Sequence, residues 1–448
     1  LGLVWLVDRN VTRSRLGRAL RAVKASEPVA ASFAIDVGRH KLFAFVLSGA
    51  FAGVSGAIYG ARVGTVSASN FDYRFSLLLV VIVVIGGLGS RPGVVISAFI
   101  YVELPYLLIE LFGERLRGWD LILGALGLML AVRNHPGGAA EIVEHRAERR
   151  RAAAEAASVV APEDRDDDEP VPALPEMPRP AALAHRPDVP AGTVVLDVHE
   201  VSVRFGALQA VDAASLQVRA GEIVGLIGPN GAGKTTLFNA VTGLVPITGG
   251  RITLLGTDVT TMAPHRRAAA GMGRTFQGIG LAKDLSVTEN LLLAQHTAAR
   301  YSTAEALLGI GRSGRIERDL RERAREAVVA LGFERYADTP VRLLSHGQQR
   351  IVELGCVVMT APDLVMLDEP SAGMSPGAAE NLAVRLRDIR DQLGRTVLLI
   401  EHNLPLVLDV CDSLTVLASG AVIASGSIDE VARNAEVVNA YLGEAVPV

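Results

Sequence analysis

Long uncharged apolar runs dominate the first third of the chain. Leu42–Ala61 contains no charged residue over 20 positions, which is enough for a helix to cross a bilayer. The opening Leu1–Val7 has the composition of the end of an earlier span. The remaining apolar runs of this region are Phe75–Ser90, Pro92–Phe112 and Leu121–Val132. Each alone would also suit a buried core helix, but a series with little polar sequence between its members predicts an α-helical transmembrane region over residues 1–135.

The charged residues between these runs predict their orientation. Asp8–Lys41 holds eight Lys and Arg residues, whereas Arg62–Arg74 and Gly113–Asp120 hold two each. Because basic loops stay in the cytoplasm, the first segment is predicted there, and four later crossings return the chain to the cytoplasm at Arg133. We therefore expect a multi-pass protein of the inner (plasma) membrane, in contact with membrane lipid, whose C-terminal part is cytoplasmic.

Residues 136–193 have the composition of a tether. Eight of the 21 prolines lie between Pro162 and Pro190, and Glu163–Glu169 is an acidic run. Such a segment has too little apolar surface to order itself. The sequence therefore predicts a disordered Pro-rich, acidic linker, although the acidic run also has the charge to bind a partner.

The C-terminal part, residues 194–443, begins with strand patterns on either side of a glycine-rich loop. Val194–Phe205 alternates apolar and polar residues, and Glu222–Ile227 is a short apolar strand. It leads into the phosphate-binding pattern G-x-x-x-x-G-K-[ST], in the strand–loop–helix context that this pattern requires. The predicted nucleotide-binding residues are Gly228, Pro229, Asn230, Gly231, Ala232, Gly233, Lys234, Thr235 and Thr236. Lys234 should reach the β- and γ-phosphates, and the Thr235 hydroxyl should ligate Mg²⁺.

Two further apolar strands end in candidate catalytic residues. Asp363–Leu367 is followed by Asp368 and Glu369, which are suited to holding Mg²⁺ and to polarising the attacking water, respectively. The alternative is an ordinary strand exit with solvated carboxylates. Thr396–Ile400 is followed by His402, which on this pattern alone suits a structural role better than a catalytic one.

Composition narrows the class of protein. Half of the residues are hydrophobic, yet 44 Lys and Arg and 48 Asp and Glu are too many for a chain wholly in lipid. The net charge of −4 provides no basic face, so no nucleic-acid partner is expected. Two cysteines cannot form a disulfide framework or a metal cluster. Because the chain begins with Leu1 rather than Met, we expect further membrane spans before it.

A short segment before the acidic strand indicates the family. Leu344–Arg350 reads Leu-Ser-His-Gly-Gln-Gln-Arg. Four other motifs accompany it, which are the phosphate-binding loop, Gln277, Asp368-Glu369 and His402. Together the five motifs resemble the ATP-binding cassette (ABC) family over Val194–Gly443. The resemblance implies an α/β P-loop NTPase domain with a helical subdomain, to which the amphipathic stripe Ile316–Leu331 would belong, and ATP and Mg²⁺ as cofactors.

The resemblance also implies roles that spacing cannot supply. Two cassettes of this family close head to tail around two ATP molecules, so a second ABC ATPase subunit is expected. Ser345, Gly347 and Gln348 would contact the γ-phosphate held by the partner's phosphate-binding loop. Gln277 would ligate Mg²⁺ or the attacking water, and His402 would contact the γ-phosphate.

One further residue and two departures complete the comparison with this family. Phe205 matches the aromatic residue that stacks on adenine, and its alternative is a core residue at a strand end. His346 replaces the usual second glycine of the signature, and Ser371–Met374 differs from the commoner Ser-Ala-Leu-Asp. Neither departure removes a catalytic group, so ATP hydrolysis is expected. The catalytic residues implied are Glu369, His402 and Gln277.

Other segments narrow the resemblance to one kind of transporter. The ATPase of high-affinity branched-chain amino acid importers is similar at Phe205–Leu208, Arg274–Gln277, Ser371–Met374, Ile400–Asn403 and Ala440–Gly443. The C-terminal part of the second permease subunit of that system is similar at Gly17–Val23, Lys41–Ala50 and Gly86–Ser90. Ala34 stands where this permease family usually has glycine.

The resemblance implies a permease–ATPase fusion that imports branched-chain amino acids. A second permease subunit and an extracytoplasmic substrate-binding protein would be its further partners. The basic segment Arg13–Asp36 would couple the two parts, with a short helix such as Gly17–Lys24 in the groove beside Gln277. The alternatives are an importer of urea or short amides, which shares these motifs, and a membrane-tethered ABC ATPase that moves no solute.

Overall fold

The computed structural model describes residues 2–67, 73–87, 91–103, 110, 189–276 and 280–442. These residues form two compact units. One contains residues 2–51 together with 189–442, and the other contains the described residues between 52 and 110. The apolar run Leu121–Val132, the predicted site residue Gln277 and residues 136–188 of the predicted linker lie outside the described residues.

Three helices precede the long apolar one. They are α1 (Gly2–Arg13), α2 (Arg15–Ala25) and α3 (Glu27–Ser32). Ser14 and Ser26 separate them, and the side chain of each accepts a hydrogen bond from a backbone N–H in the first turn of the next helix. Such caps satisfy donors that a helix start leaves free, so two serines divide this basic segment into short helices.

Helix α4 (Val37–Val63) contains the first predicted span. It has 27 residues, and among the described residues it is the one helix long and apolar enough to cross a membrane. No part of its most apolar 18-residue stretch is buried. The shorter apolar helices are α5 (Tyr73–Gly86) and α6 (Arg91–Ala98), which continues as a π-helical turn, Phe99–Glu103. One span of full length is therefore described, and the further crossings stay a prediction.

Helices α5 and α6 pack closely in the second unit. The hydroxyl of Ser97 lies 2.8 Å from the carbonyl oxygens of both Ile82 and Gly93. A Cβ at Gly86 would lie 2.7 Å from the backbone of Gly93, closer than real side chains come. A glycine on one helix and a serine on the other thus permit this approach, as is common in membrane helices.

Two sheets form the α/β part of the first unit. The four-stranded antiparallel sheet has the order β2-β1-β4-β5, and the six-stranded sheet has the order β10-β9-β3-β8-β7-β6. The strands are β1 (Val194–Phe205), β2 (Leu208–Arg219), β3 (Ile223–Ile227), β4 (Gly249–Leu254), β5 (Thr257–Asp258), β6 (Met272–Arg274), β7 (Leu364–Asp368), β8 (Thr396–Ile400), β9 (Ser413–Ala418) and β10 (Ala421–Ser427).

The parallel strands of the second sheet bring the predicted site loops together. β9, β3, β8, β7 and β6 run parallel, and β10 is an antiparallel edge. Every residue of β3, β7 and β8 is buried, which explains their continuous apolar sequences. Because the carboxyl ends of parallel strands meet at one edge, the loops after these three strands lie side by side.

Further helices accompany the two sheets, and those within residues 287–359 share one buried cluster, which is the helical subdomain. The further helices are α7 (Lys234–Val241), α8 (Pro264–Ala270), α9 (Val287–Ala294), α10 (Thr303–Leu308), α11 (Ser313–Ala330), α12 (His346–Met359), α13 (Pro376–Asp391), α14 (Leu404–Val410), α15 (Ile428–Ala432) and α16 (Ala435–Leu442). The predicted amphipathic stripe is confirmed, because Leu320, Ala324 and Val328 of α11 are buried. The α/β P-loop fold with a helical subdomain is as predicted.

The basic N-terminal helices share a hydrophobic core with this subdomain. Leu16, Ala19 and Ala22 of α2 belong to the same buried cluster as Leu291 of α9 and Leu320 of α11. Ala19 and Ala22 are at most 1% exposed. The helices before the span are therefore part of the same folded body as the α/β domain.

Ala34 ends α3 in a backbone conformation that explains the usual glycine. Its φ is +59°, in the left-handed region, where a Cβ is strained. We expect Ala34→Gly to stabilise the first unit by up to about 1 kcal/mol, since relief of strain exceeds the greater entropy of unfolded glycine. Ala31→Gly, inside α3, should instead destabilise by about 1 kcal/mol. Thermal unfolding of the detergent-solubilised chain measures both, and a lower melting temperature for Ala34→Gly would contradict the strain.

Candidate nucleotide-binding site

The glycine-rich loop joins the buried strand β3 to helix α7. Gly228, Gly231 and Gly233 have φ values of 148°, 75° and 97°. A Cβ at Gly228 would collide with the carbonyl oxygen of Leu417, and one at Gly233 with that of Ala210. At Gly231 a Cβ would meet nothing within 4 Å. Strands β2 and β9 thus pack against one side of the loop, and the loop borders open space at Gly231, where a ligand has room.

Lys234 lies inside the curve of this loop. Its side chain is almost wholly buried, and Nζ donates to the carbonyl oxygens of Gly228 and Pro229 at 2.7 and 2.8 Å. Thr235 and Thr236 follow in the first turn of α7, half-buried. The nine predicted residues therefore form one continuous loop and helix start. Its backbone N–H groups and ammonium group suit phosphate oxygens.

Asp368, at the end of β7, offers a buried carboxylate with one oxygen free among the described residues. Its side chain is fully buried, and Oδ2 accepts from Arg274 at 3.2 Å. Oδ1 has no hydrogen-bond partner in the described part of the chain. Burial raises the pKa of Asp368, and the neighbouring Arg274 opposes that rise. A buried carboxylate oxygen without a donor fits a cation, so Asp368 together with Thr235 is a suitable ligand set for Mg²⁺.

Glu369 and His402 are brought into contact at the ends of adjacent strands. His402 Nε2 lies 3.2 Å from Glu369 Oε1. Glu369 has a φ of +49°, and its N–H donates to the carbonyl oxygen of Ile400 at 2.9 Å. A left-handed conformation in a residue other than glycine is strained, and such strain is concentrated at functional sites. The contact favours a shared role for these two side chains over a purely structural histidine.

Glu401, which the sequence reasoning missed, fixes the backbone around this pair. Its buried carboxylate accepts from the N–H groups of His402, Asn403 and Ser371, at 3.0, 3.2 and 2.7 Å. The loop after Glu369 and the loop containing His402 are therefore tied to one carboxylate. An acidic residue directly after an apolar strand was the available signal.

The signature residues lie at the exposed start of α12. Ser345 is the N-cap, its Oγ accepts from Gln348 N, and Gln348 Oε1 accepts from Ser345 N at 3.0 Å. Ser345 is exposed, and Gly347 and Gln348 are half-buried. An exposed helix N-terminus, where the positive end of the helix dipole lies, is suited to an anion brought by another molecule.

Two residues of α12 hold the ends of the segment that contains Gln277. Glu353 Oε1 accepts from Phe276 N and Gly280 N, at 3.2 and 2.9 Å. Arg350 Nη1 donates to the Phe276 carbonyl oxygen and to Glu353 Oε2, both at 2.9 Å. Burial raises the pKa of Glu353, while Arg350 and the two N–H groups oppose that rise. The signature helix therefore grips both flanks of Gln277, which itself lies outside the described residues.

Arg274 connects the same segment to the acidic strand. Its guanidinium lies 5.2 and 5.0 Å from the ring centres of Phe238 and Phe276, and it donates to Thr242 and Asp368. Burial lowers the pKa of Arg274, and Asp368 opposes that fall. The sequence shows Arg274 and Glu353 only as charges within apolar stretches, since their partners lie 94 and 77 positions away.

Phe205 stands at the turn between β1 and β2 and is 50% exposed. It pairs with Leu208, and Ala210, two residues further, lies against Gly233 of the phosphate-binding loop. The alternative of a core residue at the strand end is therefore wrong. Stacking on adenine stays a prediction, which the exposed ring permits.

Two family models match this chain. One is described as "ABC transporter" and matches residues 211–372. The other is described as "Branched-chain amino acid transport system / permease component" and matches residues 2–132. The resemblances stated from the motifs, to a permease followed by an ABC ATPase, are thereby confirmed.

Individual relatives match the C-terminal part. The high-affinity branched-chain amino acid transport ATP-binding protein BraF of Pseudomonas aeruginosa is 38% identical over 251 residues, which is 56% of this chain and 98% of BraF. LivG of Escherichia coli, described in the same words, is 37% identical with the same coverage. A crystal structure of a nucleotide-free ATP-binding cassette from an ABC transporter is 32% identical and aligns with a TM-score of 0.48, covering 55% of this chain and 98% of that one.

The hydrogen bonds from α12 to the segment that contains Gln277 predict a measurable contribution to stability. Glu353→Ala leaves Arg350 as a buried charge without its carboxylate, and should lower the free energy of unfolding by about 3–5 kcal/mol. We expect the melting temperature of the cassette to fall by roughly 5–10 °C. Arg350→Met combined with Glu353→Leu removes both charges and should cost less than Glu353→Ala alone. Differential scanning fluorimetry measures the melting temperatures of both variants. An unchanged melting temperature for Glu353→Ala would contradict the stabilising role of Glu353.

Proposed function

The chain belongs to the ABC transporter family, and on that premise we propose that it imports branched-chain amino acids as a permease–ATPase fusion subunit. Its cassette is an ATPase, and its N-terminal region is a permease domain. The names of BraF and LivG support the choice of substrate class. The proposal assigns the chain to the membrane, as a multi-pass protein with its cassette in the cytoplasm.

The proposed hydrolysis takes place between the glycine-rich loop and Glu369. The loop and Lys234 would hold the β- and γ-phosphates of ATP, with Phe205 against the adenine. Glu369 would accept a proton from the attacking water while the water oxygen bonds to the γ-phosphorus. The bond between the γ-phosphorus and the β-phosphate oxygen would then break, giving ADP and phosphate. His402, 3.2 Å from Glu369, would steady that carboxylate and contact the γ-phosphate.

Mg²⁺ fits the residues at this site. Asp368 has a buried oxygen without a partner among the described residues, and the Thr235 hydroxyl lies in the first turn after the loop. When bound, the ion would neutralise charge on the phosphates. Gln277 would be a further ligand, or would hold the attacking water.

A second cassette completes the proposed site. Ser345, Gly347 and Gln348 form an exposed helix start whose side-chain hydrogen bonds stay within its own first turn. When two cassettes close head to tail, a γ-phosphate bound to the partner's phosphate-binding loop would contact the backbone N–H groups of this helix start. A second permease subunit and an extracytoplasmic binding protein are the other proposed partners.

One observation carries the proposal that ATP hydrolysis drives a permease. Helices α1–α3, which lead directly into α4, share a hydrophobic core with the helical subdomain of the cassette. Movement of that subdomain must carry α2 and α3 with it, and so act on the start of the span. A membrane-tethered ATPase that moves no solute would not need such a joint.

Glu369→Gln tests the chemical part of the proposal. The amide keeps the shape of the side chain but cannot take a proton at neutral pH, so ATP turnover should fall by at least about 100-fold. ATP binding should be retained, as measured with a fluorescent ATP analogue. Lys234→Ala is the contrasting variant and should lose binding as well. Turnover by Glu369→Gln near the unmodified rate would refute its assignment as general base.

Substrate choice is tested in the assembled transporter. The chain is reconstituted in liposomes with the proposed second permease subunit, second cassette and substrate-binding protein. We expect leucine, isoleucine and valine to stimulate ATP hydrolysis several-fold through the binding protein. Stimulation by urea or short amides instead would favour that alternative. No stimulation by any solute would favour the membrane-tethered ATPase.

A further inference from the structure

A buried ion pair joins α2 to the helical subdomain of the cassette. Arg18 donates through both terminal nitrogens to Glu317 of α11, at 2.7 and 2.9 Å. The side chains are only 5% and 10% exposed. This paired geometry is the strongest that a guanidinium and a carboxylate can form, and it requires both groups to be correctly placed.

Tyr301 completes what we term the Arg18 cluster, which consists of Arg18, Glu317 and Tyr301. The Tyr301 hydroxyl donates to Glu317 Oε1 at 2.5 Å and accepts from the backbone N–H of Arg15 at 2.7 Å. Burial, together with the hydrogen bond to Glu317, raises the pKa of Tyr301, so the hydroxyl keeps its proton. The guanidinium of Arg15 lies 4.9 Å from the centre of the same ring. Arg15 and Arg18 of α2 thus both contact groups that the cassette supplies.

Apolar residues around the cluster keep water away from it. Leu16 and Ala19 on α2 and Leu320 on α11 are all at most 5% exposed. A charge taken out of water in such surroundings is tolerated only with its partner, and the loss of one partner costs far more than the loss of both. A cassette without a carboxylate here would leave Arg18 uncompensated.

A second ion pair on the same helix provides the contrast. Arg21 contacts Glu289 of α9 at 2.9 Å, but these side chains are 39% and 36% exposed. Water can replace either partner there, so this pair contributes little to affinity or to selection. One helix therefore carries a buried and an exposed version of the same interaction with the same cassette.

We propose that the Arg18 cluster is the specificity site of the permease-to-cassette joint, where the permease segment accepts a cassette only if it presents Glu317 and Tyr301. The inference rests on the proposed function, because it names the partner that the permease recognises. The cluster pairs this permease segment with the cassette of its own chain and excludes a cassette whose surface lacks that carboxylate. Exclusion by an unpaired buried charge is how interfaces discriminate between similar partners.

The joint is tested by cutting the tether in the full chain. A protease site is inserted within residues 136–188, the purified chain is cleaved in detergent without nucleotide, and the fraction of cassette that stays with the permease part is measured. Omitting nucleotide prevents cassette dimers from holding the pieces together. This readout needs no transport, so failure of the substrate proposal and failure of the joint are distinguishable.

We expect the unmodified halves to stay together, and Arg18→Met to lower cassette retention at least tenfold. Combining Arg18→Met with Glu317→Leu should restore most of the retention, because no buried charge is left unpaired. Arg21→Met, the matched control, should change retention less than twofold, and Tyr301→Phe should give an intermediate loss. Equal losses for Arg18→Met and Arg21→Met, or a double variant no better than Arg18→Met, would overturn the proposal.

Discussion

A buried guanidinium must keep its carboxylate, and this constraint fixes the parts of the molecule that have to move together. Arg274 holds Asp368, Arg350 holds Glu353, and Arg18 holds Glu317, with side chains at most 10% exposed in each pair. The first pair joins the ends of the adjacent strands β6 and β7, and the third joins α2 to the helical subdomain. The second pair lies on the signature helix and contacts both ends of the Gln277 segment. None of these contacts can open without exposing or stranding a charge.

Taken together, the pairs connect the phosphate site to the start of the membrane span. Asp368 is joined through Arg274 to the segment before Gln277, and that segment is gripped by Glu353 of α12. The same helical subdomain supports α2, which leads through α3 into α4. A change at the proposed γ-phosphate site therefore has a continuous set of packed elements through which to act on the start of α4.

The sequence predicted the features that depend on local patterns. The phosphate-binding loop, the buried strands before Asp368 and His402, and the long apolar helix follow from spacing and periodicity, and the structure contains them. Ala34 stands where the similar permease family usually has glycine, and its positive φ gives the physical reason for that glycine. The role of Arg18 could not be predicted, because Glu317 lies 299 positions away and neither local sequence indicates that the two residues form a pair. The same holds for Glu353, whose charge is visible in the sequence but whose backbone partners are not.

Amide hydrogen exchange in the full, uncut chain tests most directly whether the permease segment is part of the folded cassette. If α2 shares the core of the helical subdomain, the amides of Leu16–Val23 should be protected as strongly as those of Leu320–Val328 in α11. Protection should persist when ATP is added to a hydrolysis-deficient chain, because the two elements move as one body. Rapid exchange over Leu16–Val23, at the rate of an exposed loop, would contradict the account.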